Sequence, residues 1–243
     1  MNRPSPKPGS GALASLALAM RSKRTAFVVL QMFSSGLPLG LVWIAIPDWM
    51  RSIGVDIRVV GLITLAQAPW TFKLLWAPLM DRYVPPFWGR RRGWMAVTQI
   101  VLFVVSLMLA GVGQRPEAIW VVGALAMAIA LASATQDIAI DAYRVEVLHK
   151  DEQGVASGAG VAIYRAAMFA SSGLAISMAA RVGWPTVNAV LACVYLPLLI
   201  ITWKSPEPEV QPPAPVTLRD AVWQPFLSFL TRPRAIEILA FVV

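Results

Sequence analysis

The chain has 243 residues, of which 57% are hydrophobic and only 14% are charged, and its mean hydropathy is +0.63. Because an ordinary soluble domain carries about 25% charged residues, this composition excludes a soluble globular protein, which could not enclose so much apolar surface. The formal net charge of +8 would suit a nucleic-acid-binding protein, but the positions of the basic residues favour another explanation.

The first 24 residues are rich in proline, glycine and basic side chains and contain a short apolar patch from Ala12 to Met20. A cleaved signal peptide is one interpretation of this patch. However, Arg21, Lys23 and Arg24 follow it, and no small-residue cleavage site precedes the next apolar segment. The sequence therefore predicts, for residues 1–24, a cytoplasmic tail that ends in a short interfacial helix.

Six apolar segments follow, each with about 20 mostly apolar residues, the number that a helix needs to cross about 30 Å of hydrocarbon. They are Thr25–Pro47, Val59–Leu79, Met95–Gly113, Ala118–Ile140, Ser157–Ala180 and Trp184–Trp203. The sequence thus predicts an all-α integral membrane protein with six transmembrane helices in residues 25–203.

The basic residues lie mainly on one side of the membrane if the N-terminus is placed in the cytoplasm. That side then holds Arg3, Lys7, Arg21, Lys23, Arg24, Arg82, Arg90, Arg91, Arg92, Arg144, Lys150, Lys204, Arg219, Arg232 and Arg234. The other side holds only Arg51, Arg58, Arg115 and Arg181. This asymmetry follows the positive-inside rule, so the charge orients a multi-pass protein and does not indicate a nucleic-acid partner.

Residues 204–233 begin with a proline-rich stretch that is typical of an extended, solvated cytoplasmic linker. Residues 234–243 turn apolar again and are predicted to start a seventh transmembrane helix. A six-helix unit followed by a linker and further helices is the plan of transporters with two repeated halves. We therefore expect the chain to be an N-terminal half that works with a missing C-terminal half. A truncated fragment is favoured over a genuine half-transporter.

Residues that weaken or break helices are concentrated in the first two segments. The run from Ser34 to Gly40 contains two serines, two glycines and Pro38, and the second segment contains Pro69 and Pro78. Small residues permit close approach by a neighbouring helix, which is the first interpretation. The second interpretation is that the first segment bends when a transporter changes its open side.

The loop after the second segment places Asp81 and Arg82 before a basic cluster at Arg90, Arg91 and Arg92. This order resembles the loop between helices two and three of the major facilitator superfamily, which latches the two halves together on the cytoplasmic side. Ala77 stands where that signature usually has glycine, and residues 85–88 lengthen the loop. Anchoring to anionic membrane lipids is the alternative for the arginines. The residues assigned to the latch are Asp81, Arg82, Arg90, Arg91, Asp141 and Arg144.

Asp137 and Asp141 lie four residues apart at the end of the fourth segment and therefore share a helical face. Asp141 is near the predicted cytoplasmic boundary, whereas Asp137 is deeper. Lys73 and Arg165 are the candidate partners of Asp137. A carboxylate that gains and loses such a partner can carry a proton, whereas a permanent ion pair would only hold the helices together.

Several blocks together are similar to the AmpG-like muropeptide permease family of the major facilitator superfamily and, more loosely, to its acetyl-CoA transporters. The blocks are Ser34–Pro38, Lys73–Tyr83, Pro85–Phe87, Gly89–Trp94, Gln136–Asp137 and Asp141–Ala142. The resemblance implies the six-helix N-terminal half of a major facilitator superfamily fold. It also implies proton-coupled import of anhydromuropeptides across the bacterial inner membrane for peptidoglycan recycling, driven by the proton-motive force without a cofactor.

The solute that this resemblance implies has hydroxyl, acetamido and carboxylate groups. Lys73 or Arg165 would bind carboxylates. The amide and aromatic side chains assigned to the remaining groups are Gln31, Gln67, Gln136, Trp70 and Tyr164.

The residues also allow different classes of membrane protein. A membrane enzyme could use Asp137 and Asp141 as acid and base, but the sequence has no nucleophile motif or phosphate-binding loop. With one histidine, His149, and one cysteine, Cys193, it offers no site for a metal. A carrier of the same superfamily with a different solute and a membrane subunit that does not transport are both compatible with the sequence.

Overall fold

The computed structural model describes residues 19–113, 115–208, 227 and 231, which are almost entirely helical and contain no β-strand. Within this part of the chain, five helices are long and apolar enough to cross a membrane. They are span 1 (Lys23–Ser52), span 3 (Arg90–Gly111), span 4 (Pro116–Val147), span 5 (Gln153–Val182) and span 6 (Trp184–Lys204). The predicted all-α membrane class is confirmed. The predictions for residues 1–18, for most of the linker and for the seventh helix lie outside the described residues.

The predicted second segment is helical but is not one continuous helix. Its pieces are Ile57–Ile63, the 3₁₀ turn Thr64–Gln67, Ala68–Phe72, the 3₁₀ turn Lys73–Leu75, and Ala77–Arg82. Pro69 and Pro78 stand in the first turn of the third and last pieces, because proline has no N–H group and cannot continue a helix from the preceding turn. Six transmembrane helices were expected, with helix-breaking prolines in the second, and the structure shows this segment, called span 2 below, as a series of short helical pieces.

Spans 1 and 5 each contain a π-helical turn. In span 1, Lys23–Gly40 and Ile46–Ser52 flank the turn Leu41–Ala45, and in span 5, Gln153–Phe169 and Ala175–Val182 flank the turn Ala170–Leu174. The two turns pack against each other. π-Helical turns insert an extra residue into the helical ladder and often occur at functional sites. The π-helical turn of span 1 therefore begins just after Ser34–Gly40, the run of helix-weakening residues identified in the sequence.

Glycines allow spans 1 and 5 to approach closely. A Cβ atom on Gly36 would overlap the Tyr164 carbonyl oxygen, and one on Gly40 would overlap the Met168 carbonyl oxygen. Both acceptors belong to the backbone of span 5, which cannot move aside as a flexible side chain can. The close approach predicted from the small residues of span 1 is confirmed.

The remaining spans pack around this pair. Span 4 consists of a 3₁₀ turn at Pro116–Ala118 and the helix Ile119–Val147, and span 6 of the helices Trp184–Cys193 and Tyr195–Lys204. Span 3 packs against spans 4 and 6, and span 4 also contacts spans 1 and 2. The largest apolar core draws on all six spans and includes Leu41, Trp49, Leu102, Ile129 and Trp184.

Large apolar side chains also cover the outside of the bundle. Examples of exposed residues are Val101, Val104, Met108, Trp120 and Ile200. An exposed apolar surface of this extent is costly in water but stable against lipid. The surface thus agrees with the membrane environment that the composition predicts.

Candidate functional site

A lysine from span 2 and an aspartate from span 4 face each other inside the bundle. Lys73 begins the 3₁₀ turn Lys73–Leu75, and its Nζ lies 3.9 Å from Oδ2 of Asp137. Their side chains are 28% and 12% exposed. Ser35 of span 1 donates its hydroxyl hydrogen bond to the other carboxylate oxygen, Oδ1. One oxygen of Asp137 thus faces a cation and the other a hydroxyl, so three spans meet at this carboxylate.

The same lysine also faces Asp141, one helical turn further along span 4. Lys73 Nζ lies 3.6 Å from Oδ2 of Asp141, and Arg144 Nη2 lies 3.9 Å from its Oδ1. The Asp141 side chain is 55% exposed. Asp141 and Arg144, both assigned to the latch from the sequence, thus lie within ion-pair distance of each other, and the contact of Asp141 with Lys73 was not foreseen.

Arg165 takes no part in the ion pair with Asp137. It is exposed on span 5 and makes no hydrogen bond or ion pair with any residue that the structure describes. Of the two cations that the sequence left open, Lys73 is therefore the one that lies beside Asp137. Tyr164 is half-buried and close enough to Asp137, Asp141 and Arg165 to interact with them electrostatically.

Two of the glutamines predicted to bind solute lie in a buried network between helices. Gln31 Nε2 donates to Thr202 Oγ1 at 2.9 Å and Gln31 Oε1 accepts from Gln99 Nε2 at 3.0 Å, while Gln136 donates to the hydroxyl oxygen of Ser34. Gln31 and Gln136 are fully buried. Their contacts link spans 1, 3, 4 and 6, and their part in solute binding stays a prediction.

Gln67 and Trp70 lie in span 2 on the irregular stretch that precedes Lys73. Both are half-buried, and the Trp70 ring makes an edge-to-face contact with Trp43 of span 1, with centroids 6.4 Å apart. Trp70 Nε1 has no hydrogen-bond partner in the described part of the chain. Trp43 is 46% exposed, so this aromatic pair presents ring surface on which a sugar could stack, whereas the Trp70 N–H group itself is buried.

The predicted latch lies at the end of the bundle that carries the basic cluster, which we call the basic end. Arg91 bridges two carboxylates, with Nη1 2.7 Å from Asp81 Oδ1 and Nη2 2.6 Å from Glu146 Oε1. Arg90 lies 3.5 Å from the same Glu146 oxygen, and the Arg82 guanidinium lies 5.9 Å from the centre of the Tyr83 ring. These contacts tie spans 2, 3 and 4 together.

Arg92 binds the segment that follows span 6. Its Nη1 donates to the Ser205 carbonyl oxygen at 2.8 Å, and its guanidinium pairs with Glu207. Tyr143 donates its hydroxyl to the Pro206 carbonyl oxygen at 2.7 Å. Residues 205–207 were expected to be solvated linker, but arginine and tyrosine donors hold this start of the linker against spans 3 and 4.

Three residues of these contacts were not assigned to the site from the sequence. Ser34 and Ser35 were interpreted as part of a run that allows close packing or bending of span 1. Their consecutive hydroxyls, which face the consecutive polar pair Gln136 and Asp137, are a detectable signal. Glu146 was also missed. Its signal is a carboxylate near the end of span 4, on the side where the basic cluster begins span 3.

Comparison with known proteins places these features in a family. A sequence profile of the Major Facilitator Superfamily matches residues 28–243. The chain belongs to the major facilitator superfamily. The matched range runs from the first turns of span 1 through span 6.

Individual relatives within the superfamily are also similar. The chain is 39% identical over 221 residues to the anhydromuropeptide permease of Escherichia coli strain K12, which covers 90% of this chain and 45% of that protein. It is 34% identical over 215 residues to an uncharacterized protein of Haemophilus influenzae, and the match covers 87% of this chain and 50% of that protein. It is 28% identical over 220 residues to the putative transporter AmpG 4 of Rickettsia felis, and the match covers 86% of this chain and 53% of that protein. The chain spans about half the length of these curated relatives.

Proposed function

We propose that the chain is the N-terminal half of a proton-coupled importer of anhydromuropeptides. The solutes are N-acetylglucosaminyl-1,6-anhydro-N-acetylmuramic acid and its peptide-linked forms, carried across the bacterial inner membrane for peptidoglycan recycling. The observation that carries the coupling is the contact of Lys73 with Asp137 inside the membrane bundle. The similarity to a protein named anhydromuropeptide permease supports the solute.

The ion pair is an expensive feature for a membrane protein to maintain. A charged side chain at membrane depth costs several kcal/mol unless it is paired or lies beside a water-filled cavity. While Lys73 and the Ser35 hydroxyl face Asp137, the carboxylate can stay ionised. When the lysine moves away, the desolvated carboxylate takes up a proton. A conformational change that moves span 2 against span 4 therefore couples proton binding to transport.

One proton supplies enough energy for uptake against a useful gradient. Moving one elementary charge through 100 mV releases about 2.3 kcal/mol. Because each 1.4 kcal/mol corresponds to a factor of ten in concentration, this energy supports roughly a fiftyfold accumulation of solute. A single site at Asp137 is therefore sufficient to drive uptake.

The solute contacts follow from the half-buried and exposed residues around this pair. The Trp70 ring offers a surface for a sugar ring, and Gln67 and Tyr164 offer groups that hydrogen-bond to hydroxyl and acetamido groups. Arg165 is exposed, and its guanidinium suits a carboxylate of the solute. Gln31 and Gln136 contribute indirectly through their buried amides. Gln31 holds span 1 against spans 3 and 6, and Gln136 holds span 4 against span 1.

The importer requires a second six-helix half that pairs with the one described. Transporters of this plan bind their solute between the two halves near the middle of the membrane, and the chain covers 45% of the length of the E. coli relative. We place the N-terminus in the cytoplasm because the basic residues then follow the positive-inside rule. The Arg91 bridge between Asp81 and Glu146 would then belong to the cytoplasmic latch.

Uptake by the full-length protein tests this function. The protein is expressed in bacterial cells that lack their own permease, and labelled anhydromuropeptide is supplied. We expect uptake well above that of cells with an empty vector, and loss of accumulation when a protonophore collapses the proton gradient. Absence of uptake, despite a normal amount of protein in the membrane, would refute the proposed solute. Transport of labelled acetyl-CoA instead would favour the other carrier class.

A further inference from the structure

Lys73 lies between two carboxylates of the same helix face. Its Nζ is 3.9 Å from Asp137 Oδ2 and 3.6 Å from Asp141 Oδ2. The two distances differ by little, so a small rotation within the flexible lysine side chain brings the ammonium closer to either carboxylate. The latch assignment of Asp141 does not explain this contact, because Lys73 lies inside the bundle and not in the basic loop.

The two carboxylates have different surroundings. Asp137 is 12% exposed and accepts a hydrogen bond from Ser35, whereas Asp141 is 55% exposed and has Arg144 3.9 Å from its other oxygen. Asp137 is thus the carboxylate that burial can force to take up a proton. Asp141 is the more exposed of the two carboxylates and has a second cation, Arg144, beside it.

We propose that Asp141 is the second carboxylate of the coupling site. It holds the Lys73 ammonium when Asp137 is protonated and releases it to Asp137 when the proton leaves. This inference rests on the proposed function and assigns the partner that lowers the cost of protonating Asp137. The step is a proton transfer alone: one proton adds to the Asp137 carboxylate, no other bond forms or breaks, and the lysine stays an ammonium throughout.

The physical reason is the cost of an unpaired cation. If Asp137 alone faced Lys73, its protonation would leave the ammonium at membrane depth without a counter-charge, which is strongly unfavourable. With Asp141 3.6 Å away, the lysine is paired before and after proton uptake. Asp141 can accept it without losing Arg144, because the two cations face different carboxylate oxygens.

The other groups that face this site do not replace Asp141. Span 1 contributes Ser35, which has no charge but whose oxygen can accept a hydrogen bond from a protonated Asp137. Span 5 contributes Tyr164, which lies near both aspartates and Arg165. Neither Tyr164 nor Arg165 is a carboxylate that can pair with the Lys73 ammonium. Among the described residues around Lys73, Asp137 and Asp141 are thus the two carboxylates within ion-pair distance of its ammonium.

The test uses the full-length protein in proteoliposomes with two measurements. The first is the pH at which the uptake rate of labelled anhydromuropeptide is half-maximal. The second is an infrared titration of the carbonyl band of protonated Asp137, identified as the band that the Asp137→Asn variant lacks. The infrared titration needs only folded protein, so it still decides the question if a variant no longer transports.

In the Asp141→Asn variant, protonation of Asp137 leaves the Lys73 ammonium without a carboxylate partner. We therefore expect both midpoints to move to lower pH by about one unit, a tenfold increase in the proton concentration required. Asp141→Glu keeps the charge and is expected to restore most of the wild-type midpoint. Asp151→Asn removes the same charge from an exposed position at the same end of the bundle and is the matched control, with an unchanged midpoint.

Midpoints in Asp141→Asn that equal those of the Asp151→Asn control would overturn the inference. A different result would refute the proposed function, namely that the Asp137→Asn variant still accumulates solute when a pH gradient is imposed. If Asp137→Asn loses that accumulation and Asp141→Asn titrates like wild type, the proposed function stands and only the role of Asp141 is refuted.

Discussion

Lys73 Nζ lies 3.9 Å from Asp137 Oδ2, and the lysine occupies the first position of a 3₁₀ turn in the middle of an interrupted span. A regular helix fixes each residue through a complete backbone ladder, whereas short pieces separated by prolines can shift with fewer broken hydrogen bonds. The charged partner of Asp137 is therefore carried by the least regular part of the described bundle.

Replacing Lys73 with methionine removes the cation but keeps most of the side-chain volume. Asp137 would then have only the Ser35 hydroxyl to favour its ionised form, so it should hold its proton at higher pH. We expect the pH of half-maximal uptake to rise by about one unit, a tenfold change in proton concentration. Lys73→Arg is the matched variant and should stay near wild type. An unchanged pH profile in Lys73→Met would argue against the pairing.

Replacing Trp70 with alanine removes the ring that packs edge-to-face on Trp43. We expect KM for the labelled solute to rise about tenfold, equivalent to about 1.4 kcal/mol, and Trp70→Phe to recover part of the loss because it keeps a ring. Trp120→Ala, at an exposed position at the start of span 4, is the control. Equal KM values for Trp70→Ala and Trp120→Ala would show that Trp70 only packs between helices.

Replacing Gly36 with alanine places a methyl group against the Tyr164 carbonyl oxygen. Because that atom belongs to the backbone of span 5, the two spans must separate, and we expect a loss of about 1–3 kcal/mol in the free energy of unfolding. Gly111→Ala is the control, since a Cβ there meets no atom within 4 Å. Thermal unfolding in detergent measures both variants. A melting temperature of Gly36→Ala at or above that of the control would contradict the close approach.

Replacing Thr202 with valine keeps the branched shape but removes a hydroxyl that accepts from Gln31 at 2.9 Å and donates to Gln99 at 2.7 Å. Buried amide groups then lose a partner, which costs about 1–3 kcal/mol. Thr186→Val changes an exposed threonine of the same span and should leave the stability almost unchanged. The network would be refuted as a source of stability if both variants unfolded at the same temperature.

The sequence predicted those parts of the fold that depend on one segment at a time. Segment length and hydropathy located the five spans of membrane length, because the thickness of the bilayer sets both quantities. The same approach could not predict the form of span 2. Pro69 and Pro78 indicate a local interruption, but no single-segment signal predicts the 3₁₀ turns Thr64–Gln67 and Lys73–Leu75, both of which contact span 4.

In the candidate site, too, some residues could be found from the sequence and others needed the structure. Asp137 and Lys73 were found from the sequence because charged residues are rare and costly inside apolar segments. The choice of Lys73 over Arg165 needed the structure, since either cation could face Asp137 by spacing alone. Ser35 and Glu146 were missed for the opposite reason. Serine is common in tightly packed membrane helices and a terminal glutamate is common near the membrane boundary, so neither stands out until its partner is known.

Accumulation driven by a pH gradient in Asp137→Asn is the measurement that tests the central claim most directly. The full-length variant and the wild type are reconstituted in proteoliposomes with an imposed pH gradient, and the internal concentration of labelled anhydromuropeptide is followed. Because asparagine cannot gain and lose a proton, the variant should let the solute equilibrate across the membrane without concentrating it. Accumulation by Asp137→Asn to the wild-type level would contradict the account.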